Sequence, residues 1–372
     1  MEHSERTQSE FRRLDGVARG KLLLFGEHAA VYGYPAIGTA LPLETRARFR
    51  DRSGRLLPQT SSEIATAPDS AANHLSELRF DLNSLAPLDR LPVRAALWRL
   101  LGVLRSRPST CLALGPVMLE LESQVPRSVG LGSSAAVCAA IAAAALPTLS
   151  PRERWVAANE LERQFHGTPS GIDTGLATLG GTLAFQFRGD GLPDAAPVAL
   201  PAGYLVVAAV PRESSTKELI AGLRRRIEAS GETPKQALAP LGEIANEVVR
   251  SLADTPAVTI ATLARHAERA HAVLRSWGLS NELLDAALER GRAAGALGGK
   301  LSGAGGGGAF YLLFADRERA ERGREALEAF LRPRLGPDRM TGLPLIVSTS
   351  AAPGNTTSNT TSNTERTPGS AV

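Results

Sequence analysis

Cysteine and lysine are scarce in this chain. Only Cys111 and Cys138 stand among its 372 residues, too few for a disulfide framework and without the CxxC spacing of a structural zinc site. Aromatic residues make up 5% of the chain and no basic stripe alternates with them, so no single-strand nucleic-acid groove, and no nucleic-acid partner, is expected. The longest small-apolar run, Ala135 to Leu146, falls short of the roughly 20 residues that span a bilayer. The opening MEHSERTQSEFRRLD has no apolar signal region. A cytoplasmic chain with no membrane partner is expected. Of 42 basic residues only Lys21, Lys217, Lys235 and Lys300 are lysines, and the net charge of +4 is a mild excess. What remains is globular in composition, 43% hydrophobic and 22% charged, with length for one large or two medium domains.

The patterning predicts an α+β chain. Residues 20–25 (GKLLLF) read as a short buried strand, with an alternating strand near Thr45 to Arg50 and a Ser/Thr/Pro-rich loop over 53–73. A helix is expected over 92–106, a strand over 116–123, and a helix from the alanine run. The next helix, 151–165, has Ser150 as its N-cap and Pro151 at its first position. Two strands, 180–187 and 203–210, flank a Gly/Pro/Asp-rich connection that reads as a domain boundary. Helices follow over 215–229, 234–252, 258–277 and 281–294, then a glycine loop, a strand at 309–314, a helix over 317–331 and a strand at 343–349. The expected division is a polar extension at 1–18, an N-terminal lobe at 19–195, a C-terminal lobe at 196–350, and a disordered low-complexity tail at 351–372.

Four glycine-rich pieces carry the chemistry. In SVGLGSSAAV, a strand delivers the chain to Gly130 and Gly132, and Ser133 and Ser134 open a helix. Missing Cβ atoms permit close approach, and unpaired N–H groups at a helix start favour phosphate oxygens. Serine hydroxyls can also ligand Mg²⁺. Taken alone, the same turn could simply redirect the chain into a buried helix. No GxxxxGK[ST] occurs, and the GxGxxA match at 130–135 is followed by a second long helix where a βαβ unit needs a strand. In ELERQFHGTPSGIDTG, Glu162 closes a helix and Asp173 ends a turn. Taken alone, Asp173 could be a simple turn residue and Glu162 a solvated helix position. Beside a phosphate loop, transfer to an alcohol needs a group to take the hydroxyl proton and a carboxylate to hold the metal, and these two could divide those roles. Lys21 precedes the loop GEHAAVYG, and Lys300 precedes GAGGGG, where five glycines in six point to close approach by a ligand or a neighbouring loop.

In this order, GKLLLFGEHAAVYGYPAI, PRSVGLGSSAA, ERQFHGTPSGID and KLSGAGGGG resemble the motifs of the GHMP small-molecule kinases, over roughly residues 19–350. ERQFHGTPSGID is similar to the segment of the branch that acts on mevalonate. The resemblance implies a ribosomal protein S5 domain 2-like N-terminal lobe and a ferredoxin-like C-terminal lobe. It implies transfer of phosphate from ATP to the C5 hydroxyl of mevalonate. Asp173 would be the base and Lys21 would stabilise charge; Ser134 and Glu162 would hold Mg²⁺. Ser133 and the backbone of Ser128, Val129, Gly130, Leu131 and Gly132 would wrap the phosphates, with Gly305 in the second glycine motif. Glu27, His28 and Thr216 would face the acceptor. A homodimer is the assembly held open. The chain departs from the family pattern at Arg19, where proline is common, and at Ser128, where the phosphate loop has its first glycine. Phosphomevalonate, homoserine and sugar kinases remain alternatives, as does a non-catalytic nucleotide- or RNA-binding relative.

Overall fold

The structure is a computed structural model describing residues 12–13, 15–50, 58–59, 118–189, 191–213, 216–253, 258–336 and 342–350. Most of the expected loop at 53–73, the expected helix at 92–106 and the tail at 351–372 lie outside the described residues.

A five-stranded antiparallel sheet underlies the first lobe. Its strands are β1 (Asp15–Phe25), β2 (Ala36–Arg50), β3 (Met118–Ser123), β4 (Thr182–Gln186) and β5 (Asp194–Pro197). They run in the order β1-β2-β4-β5, and β3 joins β2 farther along. The fork follows from the length of β2: Ala36–Thr39 pair with β4 and Thr45–Arg50 with β3, while β1 lines the other edge. Leu22 to Phe25 are apolar without alternation because both faces of β1 are covered. Leu22 and Leu24 enter a core shared with the second lobe, whereas Leu23 joins Trp155 and Leu176.

The alanine run is α1 (Ser133–Ala145), and from Ala135 to Ala145 every residue but Ala143 is buried. A helix sealed on every side needs no polar face. Its small side chains let β1 come close: a methyl group on Gly16 would lie 2.1 Å from the Ala140 carbonyl oxygen. Next comes α2 (Pro151–His166), whose Ser150 accepts from the Glu153 N–H while Glu153 accepts from the Ser150 N–H, a reciprocal cap. The short α3 (Ile172–Leu179) starts at Gly171, whose carbonyl accepts the buried Trp155 Nε1–H at 2.8 Å.

The second lobe carries an antiparallel sheet of β6 (Tyr204–Val210), β7 (Gly298–Leu301), β8 (Gly308–Phe314) and β9 (Leu345–Ser348), in the order β9-β6-β8-β7. Its helices are α4 (Thr216–Ser230), α5 (Pro234–Ala237), α6 (Ala239–Ala253), α7 (Ile260–Ser276), α8 (Glu282–Ala293) and α9 (Arg317–Leu335). Packing of α7 on β7 and β8, and of α9 on β6 and β8, builds the core.

Several elements differ from expectation, among them α3, a helix where a turn ending at Asp173 is expected. Strand β5 lies inside the supposed connection at 188–203 and pairs with β4, so the chain leaves the first sheet only after Pro197. The helix expected over 234–252 is two helices meeting at Leu238; Pro240 has no N–H for the carbonyl one turn back and crowds it. Strand β7, GGKL, has no counterpart among the expected strands. A methyl on Gly299 would lie 2.3 Å from the Tyr311 carbonyl oxygen, so glycine there permits tight strand packing. Among the described residues, no helix is long and apolar enough to cross a membrane.

Candidate active site

The turn before α1 winds through three left-handed residues: Ser128 at φ 62°, Gly130 at 90° and Gly132 at 77°. Ser128 therefore adopts the left-handed conformation that glycine favours. Backbone bonds pin the turn to both lobes: Lys21 N–H donates to the Leu131 carbonyl at 2.9 Å and Ala309 N–H to the Val129 carbonyl at 2.6 Å. Gly132 is the N-cap of α1 and no side chain caps it, which leaves the first N–H groups and the positive end of the helix dipole directed outward.

Both glycines make room for cations. A methyl on Gly132 would lie 2.7 Å from Lys21 Cγ, and one on Gly130 would lie 2.5 Å from Arg212 Nη2. The turn is thus flanked by Lys21 from β1 and by Arg212 from the segment after β6. Burial pulls the Arg212 pKa down, against the opposing pull of Asp173.

Asp173, in the first turn of α3, stands 41% exposed with Oδ2 3.0 Å from the Nζ of Lys21, itself 5% exposed. Glu162, near the end of α2, is 2% exposed. Its Oε1 accepts from Ser134 Oγ at 3.0 Å, and its Oε2 has no hydrogen-bond partner in the protein. Burial first, and then the Asp173 charge, push the Glu162 pKa up to about 8, against the Ser134 hydrogen bond and Lys21. One turn on, His166 Nε2 lies 3.1 Å from Ser134 Oγ. With the serine proton given to Glu162, that nitrogen donates. Desolvation lowers the His166 pKa and favours the neutral ring.

Ser134 and Glu162 offer a hard cation two oxygen donors, and a cation there would satisfy Oε2 and offset the burial of its charge. Among the described residues no three His, Cys, Asp or Glu side chains form a ready cage. Two oxygen donors are a set that a hard cation completes with water and phosphate oxygens.

On the other side of β1, the turn Gly26–His28 is held by the second lobe. Glu27 is buried with its carboxylate against Lys300 Nζ, turned into the lobe boundary and away from any open face. The reason is electrostatic: Lys300 is fully buried and its ammonium needs an anion. His28, at φ 60°, donates from Nε2 to the Ala304 carbonyl at 3.2 Å, and burial lowers its pKa to about 4. Thr216 is the first residue of α4. The second glycine loop serves its neighbours: a methyl on Gly305 would lie 2.3 Å from the Leu279 carbonyl oxygen, and one on Gly307 2.1 Å from that of Pro211.

Lys21, Ser134, Glu162 and Asp173 therefore meet at one corner, whereas Glu27 and His28 stand together at the second glycine loop. Sequence reasoning does not single out Arg212 or Lys300 as a site residue. Arg212 follows the strand-ending Pro211 with no spacing to mark it, and the one signal for Lys300 is a lysine beside glycines.

Two family models match, GHMP kinases N terminal domain over residues 93–181 and GHMP kinases C terminal over 257–332. The mevalonate kinase of Pyrococcus abyssi is 34% identical over 313 residues, covering 81% of this chain and 89% of its own. This chain belongs to the GHMP kinases. A second relative of this GHMP kinase, the mevalonate kinase of Bos taurus, is 32% identical over 367 residues, covering 86% and 89%. In fold, the GHMP kinase matches the crystal structure of L. major mevalonate kinase in complex with R-mevalonate with a TM-score of 0.67 at 22% identity, covering 90% of this chain and 94% of that one.

Proposed function

We propose that this GHMP kinase is a mevalonate kinase, moving the γ-phosphoryl group of ATP to the C5 hydroxyl of (R)-mevalonate to give 5-phosphomevalonate and ADP in isoprenoid precursor synthesis. Relatives bearing that name, 34% and 32% identical over most of the chain, support the acceptor. The observation that carries the chemistry is the Lys21–Asp173 pair, 3.0 Å apart, beside the uncapped start of α1.

The ATP phosphates rest on the Ser128–Gly132 backbone and the first N–H groups of α1, with the Ser133 hydroxyl and the Gly305 loop beside them. Ser134 and Glu162 would hold Mg²⁺, which would supply positive charge to neutralise the phosphate oxygens during transfer. Asp173 takes the C5 hydroxyl proton as that oxygen bonds to the γ-phosphorus and the bond from phosphorus to the ADP oxygen breaks. Lys21 stabilises negative charge on the attacking oxygen, its stem held against Gly132 so that the ammonium stays between turn and carboxylate. Arg212 adds positive field on the far side of the turn. His28 and Thr216 border the acceptor, with Glu27 behind them.

An ADP-release assay across mevalonate, phosphomevalonate, homoserine and galactose tests the reading. Turnover with mevalonate is expected; turnover confined to another acceptor would overturn the substrate.

A further inference from the structure

The lobes are joined by a group of buried polar contacts from β7, β8 and the loop between them. Ser302 Oγ donates to the Leu23 carbonyl at 2.8 Å and accepts the Leu23 N–H at 3.0 Å. Tyr311 donates to the Leu24 carbonyl at 2.8 Å. Lys300 Nζ meets Glu27 and also donates to the Leu301 carbonyl at 2.8 Å, with the Phe25 and Tyr311 rings within 5.9 and 5.6 Å. His28 closes the series on Ala304. The second lobe thus grips positions 23, 24, 27 and 28, the end of β1 and the turn that follows it.

Most of these grips are neutral hydrogen bonds, of the kind any lobe boundary needs. The Lys300–Glu27 pair is different. Two charges removed from water commonly stabilise a fold no better than an apolar pair of the same volume would. What the pair does supply is direction, because an ammonium aimed at one carboxylate oxygen tolerates little displacement of either chain. It also leaves Glu27 Oε2 without a protein partner, nine-tenths and more buried, beside the residue that borders the acceptor.

We propose that Lys300 is a positioning residue for acceptor binding: anchored in the second lobe's sheet, it fixes Glu27 across the lobe boundary and with it the Gly26–His28 turn against which the carboxylate-bearing alcohol is held. The inference rests on the acceptor reading given above. Lys300 touches neither nucleotide nor acceptor and acts through Glu27. Its loss loosens the acceptor while the phosphate corner, built from Lys21, Ser134, Glu162 and Asp173, stays in place.

The test is a cycle of Lys300→Met, Glu27→Gln and the double variant, each measured for the KM of mevalonate, the KM of ATP, kcat and the unfolding midpoint. Each single change is expected to raise the mevalonate KM by about tenfold with the ATP KM within about twofold. Since the two residues act as one unit, the double variant should show the same mevalonate KM as the worse single, about tenfold above wild type. Its unfolding midpoint should exceed that of Lys300→Met, because no unpaired buried carboxylate remains. If the mevalonate KM of the double variant recovers together with stability, the pair is structural only and the proposal fails. It fails equally if the two KM effects multiply to about a hundredfold, since the residues then act separately. Should Lys300→Met not fold, the double variant and Glu27→Gln decide by the same KM comparison. Wild-type enzyme runs alongside; if it ignores mevalonate, the acceptor reading has failed, and the cycle is read on the acceptor that the panel identifies.

Discussion

Glu162 is protonated in the folded, metal-free chain until the pH reaches about 8, while the same group unfolded ionises near its ordinary 4.5. Between those values the native chain holds a proton that the unfolded chain has released, so stability falls as pH rises through the window. Glu162→Gln keeps an acceptor for Ser134 and has nothing to ionise. Without metal or nucleotide, its urea midpoint is expected to gain on wild type steadily from about pH 5 to pH 8; parallel pH profiles would mean that the native carboxyl is already charged. Asp173 is 41% exposed and, in the proposed mechanism, takes the acceptor's proton. Asp173→Asn is expected to retain nucleotide binding and to lower kcat by about 10²-fold or more, the scale of a lost general base. Stopped-flow turnover at the wild-type rate would remove it from the proton's path.

At the scale of elements, helices with local signals are legible in the amino-acid sequence. Ser150, Pro151 and Glu153 mark the start of α2 in four consecutive residues, and the cap forms as those residue types dictate. Strands β5 and β7 have no such signal. β7 is half glycine and β5 is a four-residue edge, and each exists because of a partner elsewhere in the chain. The same holds in the site. The Ser128–Gly132 turn and its helix are contiguous and can be read, whereas Lys300 meets Glu27 across 273 positions, a distance no spacing rule covers. The close seat of α1 on β1 yields its own prediction. Gly16→Ala would ordinarily gain about 0.4–1 kcal/mol by restricting the unfolded chain. Here the added carbon meets a carbonyl oxygen at 2.1 Å, and the strain of overpacking, about 1–3 kcal/mol, outweighs that gain. A net loss in chemical denaturation is expected, and a stabilised variant would show that α1 can shift away at little cost.

For the whole molecule, the boundary between lobes matters as much as either sheet. Ser302→Ala orphans both the N–H and the carbonyl of Leu23 in a sealed setting, at about 1–3 kcal/mol for each unsatisfied group. Its unfolding midpoint should drop clearly while the nucleotide dissociation constant stays near wild type. An unchanged midpoint would mean that water reaches Leu23.

Leu22, Leu24, Phe25, Leu41 and Val125 of the first lobe lie in one apolar cluster with Val206, Phe310 and Leu312 of the second. Swinging the halves apart like jaws would wet that common seam, and the hydrophobic effect opposes it at every step. Hinge opening along that seam is therefore disfavoured. Neither half, cut at Pro197 and made alone, would have anything to cover its side of the seam.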